Sequence, residues 1–96
     1  MNGARGEASL TIEGRAHRLC LTLGALAELE TAFGCQSLGQ LQARLRVLSA
    51  AELTRVLAIL VKAGGDAETA SRLVDLPVAP REAARAVAEA FHAALG

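Results

Sequence analysis

The sequence predicts an α+β domain: an N-terminal β-hairpin followed by a small array of about five short helices. Three observations lead there. Apolar residues alternate with polar ones from Ala8 to Thr22, the period-two mark of strands. From Leu23 onward the apolar spacing changes to that of helices, as in Leu23, Leu26, Ala27, Leu29, Ala32 and Phe33. Helix-start signals then recur at Ser37, Ser49, Asp66 and Pro80.

The elements follow in order. Residues 1–7, MNGARGE, are polar and glycine-containing, so a mobile start is expected, with a single hairpin-plus-helices domain over 8–96. In the first strand Leu10 and Ile12 share a face, and Glu13-Gly14 supplies the turn. In the second, His17, Leu19, Leu21 and Leu23 share a face while Arg18, Cys20 and Thr22 point away. A lone hairpin is marginal in water, and the helix that follows at once is the expected cover. That helix runs from about Leu23 to Phe33, with Thr22 as N-cap and Gly34 as a left-handed C-cap. The expected strand-to-helix corner consists of Thr22, Gly24, Leu26, Leu29 and Phe33: Gly24 removes a Cβ where strand and helix would collide, and the three apolar residues fold back onto Leu19 and Leu21.

Two capping boxes come next, Ser37 with Gln40 and Ser49 with Glu52. The first opens a helix to about Val47 with Leu38, Leu41, Leu45 and Leu48 on one stripe. The second opens a helix to about Ala63 that turns Leu53, Val56, Leu57, Leu60 and Val61 inward. Gly64-Gly65 ends it, and Asp66 caps a short helix to about Val74 that buries Ala70, Leu73 and Val74. After DLPVAP, Pro80 opens a final helix marked by Ala83, Val87, Ala90, Phe91 and Leu95.

Composition excludes several functions. Ten basic residues balance ten acidic ones, so the basic excess that nucleic-acid binding calls for is missing. The apolar runs fall far short of the ~20 residues of a membrane span. Cys20 and Cys35 are expected as reduced thiols of a cytosolic protein, and neither has a second Cys or a His at metal-ligand spacing. His17 and Cys20 leave a strand on opposite faces. Glu28 and Glu30 sit roughly 200° apart on a helix and do not converge. Gly64-Gly65-Asp66 lacks the lysine of a phosphate loop and follows a helix. No catalytic, cofactor-binding or metal-binding residue is assigned, and enzymatic activity is not expected. Binding is. The first strand carries no Pro or Lys to block pairing along its edge, so Ser9, Leu10, Thr11 and Ile12 form the expected partner-binding segment. The high Leu content also favours an apolar groove among the helices.

The stretch LCLTLGALAELETAFG, Leu19–Gly34, preceded by the hairpin TIEGRAHR, resembles a small family from gene transfer agents and related tailed phages, described both as tail tube proteins and as tail assembly chaperones. The likeness runs from about Glu7 to Leu95. It is sharpest at Leu21-Thr22-Leu23-Gly24, Leu26, Leu29-Glu30 and Phe33-Gly34. It implies a role in building a phage-type tail, in the bacterial cytoplasm or in a phage-like particle. It also implies a tape measure or tail tube subunit as partner, and it carries no catalytic or ligand residue. Strand patterning over so short a stretch is too little for a tube wall. A tail assembly chaperone or adaptor, free to form homo-oligomers, is therefore the expected role. The alternatives are a structural tail subunit retained in the particle and a small regulatory nucleic-acid-binding domain.

Overall fold

A computed structural model describes residues 6–96. The strands are β1 (Glu7–Ile12) and β2 (Arg15–Cys20). The helices are α1 (Leu23–Phe33), α2 (Leu38–Arg44), α3 (Ala50–Ala63), α4 (Ala67–Ser71) and α5 (Pro80–Leu95), with a 3-10 turn at Leu73–Asp75 between the last two. β1 and β2 pair antiparallel in one two-stranded sheet, from Glu7 opposite Cys20 to Ile12 opposite Arg15. Glu13 and Gly14 both have positive φ, 52° and 79°. That is the geometry of the tight hairpin turn whose twist matches the strands, and it is why glycine stands at the second position.

The mobile start expected over 1–7 lies, for residues 1–5, outside the described residues. Gly6 is buried, and its carbonyl accepts the Leu21 N–H at 2.8 Å, one step beyond the ladder. Glu7 already belongs to β1.

Side chains of Ala8, Leu10 and Ile12 from β1 and Leu19 from β2 enter the core. α5 packs against β1 and α3 against β2, whereas α1 packs chiefly on α3 and α2. The helix that follows the hairpin is therefore not its main cover. The reason is chemical. The inward face of α5 is Ala83, Ala86, Val87 and Ala90, and small side chains let a helix approach a strand closely. The bulkier Leu26 and Leu29 of α1 complete the core beside Leu60, Val56 and Val61. Burying one such leucine contributes roughly 1.5–3 kcal/mol.

Four apolar positions depart from expectation. Leu23 is 85% exposed and does not continue the hairpin's buried face. Thr22 caps α1 in extended backbone, its Oγ1 accepting from Ala25 N at 3.1 Å. The chain turns at that cap, so strand alternation stops at Leu21. Val74 is 79% exposed, because α4 ends at Ser71 and the 3-10 turn shifts the phase of the residues after it. Leu38 opens α2 facing outward, and Leu95 closes α5 partly exposed.

Gly24 is not the tight point of the corner. A Cβ there would meet only Thr22 Oγ1, at 3.8 Å. The close approach lies elsewhere: a Cβ on Gly64, at the end of α3, would fall 2.1 Å from the Arg18 carbonyl oxygen of β2.

Candidate functional site

The ladder settles which backbone groups of β1 face outward. In an antiparallel pair, opposed residues alternate between those that exchange hydrogen bonds and those that do not. The Leu21–Gly6 bond marks the first kind, and the tight turn closes on another at Ile12 and Arg15. Between them Ala8 with Leu19 and Leu10 with His17 are also bonded pairs. Glu7, Ser9 and Thr11 therefore direct their N–H and C=O groups away from β2. Among the described residues, nothing hydrogen-bonds to those outward groups.

The two edges of the sheet thus differ. The β2 edge is approached by α3: Gly64 abuts the Arg18 carbonyl, and the Arg18 guanidinium donates to Gly64 O at 3.1 Å. Among the described residues, the β1 edge has no such neighbour bonded to it. Within the expected segment, Ser9 and Thr11 present backbone at this edge. Leu10 and Ile12 do not: they are 1% and 3% exposed and anchor the strand from inside.

The remaining chemistry-bearing side chains are spread apart. His17 Nδ1 stands 3.4 Å from Asp66 Oδ2, tying β2 to the start of α4. Asp66 also accepts the Thr69 N–H, and that backbone bond, with His17 behind it, holds its carboxyl below the usual range. Cys20 lies opposite Glu7 on the side of the sheet away from His17. It is nevertheless buried, and burial raises its thiol pKa. Glu28 pairs with Lys62 at 2.8 Å across α1 and α3. Glu52 accepts the Ser49 N–H, which lowers its pKa, and pairs with Arg44. Arg44 in turn lies over the Phe33 ring, 5.5 Å from its centre. These groups serve caps and helix contacts. Among the described residues, no cluster of three or more His, Cys, Asp or Glu is placed to hold a metal, and no helix is long and apolar enough to cross a membrane.

A second surface is an open groove of about 580 Å³ lined by the end of α2 and the segment that follows it (Gln42, Leu45, Arg46, Leu48), by Leu53 of α3 and by α5. Leu45, Leu48, Val87 and Phe91 supply most of its apolar wall. The leucine content pointed to such a groove. Its location depends on residues 42–48 and 84–91 lining one groove across a long sequence separation, which no local pattern discloses.

A family model described as phage tail tube protein, GTA-gp10, matches residues 5–96. No curated protein and no solved structure gives a significant match.

Proposed function

The chain belongs to the phage tail tube protein family GTA-gp10, and on that premise we propose that it serves tail assembly as a chaperone or adaptor. Its partner is a tape measure protein or an unassembled tail tube subunit. The open backbone edge of β1 at Glu7, Ser9 and Thr11 is the observation that carries this reading. An unpaired edge lends hydrogen bonds to an incoming strand, and it shields the aggregation-prone edge of a subunit awaiting polymerisation.

The sheet favours the adaptor over a wall element. A tube wall is built by sheets that close into rings, and the described residues hold one two-stranded sheet under helices. Ser9 and Thr11 offer the backbone contact. Leu10 and Ile12 keep the strand rigid, so little ordering cost falls on binding. A structural subunit that stays in the particle is the second reading, supported by the family description itself. Nucleic acid is disfavoured as a partner by the balance of ten basic and ten acidic residues.

Co-expression with tape measure and tail tube proteins, followed by pull-down and by quantitation in purified particles, separates these readings. An adaptor binds one of them in solution and is absent from finished particles. Stoichiometric retention in particles assigns the structural role instead.

A further inference from the structure

We propose that the groove between residues 42–48 and α5 is a second docking surface, and that its occupant is an amphipathic helix of a partner protein carrying acidic residues beside its apolar stripe. Successive helix residues are about 100° apart. On that wheel the core face of α5 is Ala83, Ala86, Val87 and Ala90. Ala84, Ala88 and Phe91 form a second apolar arc beside it, turned to the groove. Ala84 and Ala88 are exposed there, and their small side chains let a helix approach α5 closely.

Charge selects the occupant. Arg46 lines the groove, and Arg81 precedes Ala84 and Ala88 on the same helical stripe at spacings of three and seven. Neither makes an ion pair among the described residues, whereas Arg44 and Arg85 do. Among the described residues, no acidic side chain lines the groove. The acids of α5, Glu82 and Glu89, lie on its other flank and are paired with Arg85. An apolar trough with one unpaired guanidinium in its lining, Arg46, a second, Arg81, on the adjoining stripe of α5, and no carboxylate among the described lining residues is complementary to an apolar helix face flanked by Glu or Asp. This surface is separate from the β1 edge and does not depend on it.

The test uses the full chain and two fluorescent peptides of roughly 16 residues, long enough to form a helix. Both carry leucines at i, i+3, i+4 and i+7, one with glutamates and the other with lysines beside the stripe. The glutamate peptide is expected to bind at least about tenfold more tightly, with the preference reversed in Arg46→Glu/Arg81→Glu. Ala88→Glu, a change at an exposed helical site, is expected to abolish binding with an unchanged circular dichroism spectrum, and Thr11→Pro at the β1 edge to leave it intact. Equal binding of both peptides, or binding of neither, overturns the proposal. So does sedimentation showing a self-dimer that Ala88→Glu dissolves, because the occupant is then a second copy. Failure of the edge to bind tail proteins, with peptide binding kept, leaves this inference standing alone.

Discussion

The Arg18 carbonyl of β2 and the Cα of Gly64 are in direct contact, so that a Cβ on Gly64 would stand 2.1 Å from the oxygen. Arg18 closes the relationship by donating from its guanidinium to Gly64 O at 3.1 Å. Strand backbone cannot retreat like a flexible side chain, so this contact sets the distance between the hairpin and α3. Gly64→Ala is expected to destabilise the domain by about 1–3 kcal/mol or more. The residue has φ −76°, so the cost is one of space and not of backbone conformation. Urea denaturation measures it; an unchanged midpoint would mean that β2 moves freely relative to α3.

Gly24→Ala is the counterpart. With only Thr22 Oγ1 at 3.8 Å from the added methyl, the substitution is expected to stabilise α1 by roughly 0.5–1 kcal/mol through helix propensity. The same denaturation curves report it.

Thr22 and Leu23 are neighbours with opposite consequences. Thr22→Ala removes the acceptor for Ala25 N–H and is expected to cost about 0.5–2 kcal/mol, while Thr22→Ser restores the cap. Leu23→Glu places a carboxylate in a first turn that has none and is expected to gain about 0.3–1 kcal/mol. Thermal melting of the three variants checks the order.

These pairs show what the chain's own pattern discloses. Period-two alternation marked both strands, and the Ser49–Glu52 box marked the start of α3, where both reciprocal bonds form. Signals of this kind are local, carried by residues three or four apart. Leu23 misled because it belongs to both periodicities, and only the turn at Thr22 decides between them. Gly64 ends α3, as its place after the last apolar turn predicts. Its contact with Arg18 joins residues 46 apart in sequence, and no local pattern announces such a contact. The cover of the hairpin is not locally encoded either: α5, at the far end of the chain, packs on β1 because it offers the smaller side chains. The segment Ser9–Ile12 was legible as an edge strand, but the division between outward backbone at Ser9 and Thr11 and inward anchors at Leu10 and Ile12 needs the register.

Acid sensitivity follows from Glu52 and Asp66. Both carboxyls are lowered from their ordinary values of 4.5 and 3.8, first by backbone N–H donors at Ser49 and Thr69. A carboxyl with a lower pKa in the folded state contributes stability that is fully present above its unfolded value and is lost as pH falls through its folded one. Stability is therefore expected to decline as pH drops below about 4.5. Glu52→Gln and Asp66→Asn, which keep an acceptor oxygen, are expected to flatten that decline. Urea midpoints measured from pH 6 down to pH 3 provide the check, and parallel curves for wild type and variants would contradict it.

Amide hydrogen exchange at Glu7, Ser9 and Thr11 tests the open edge most directly. In the free chain these three N–H groups are expected to exchange fast, while those of Ala8 and Leu10 in the same strand are protected by β2. On adding a tape measure or tail tube protein, exchange at the three sites is expected to slow by at least about tenfold. Protection of Ser9 and Thr11 already present in the free chain, or no change at them in a complex that forms, would contradict the account.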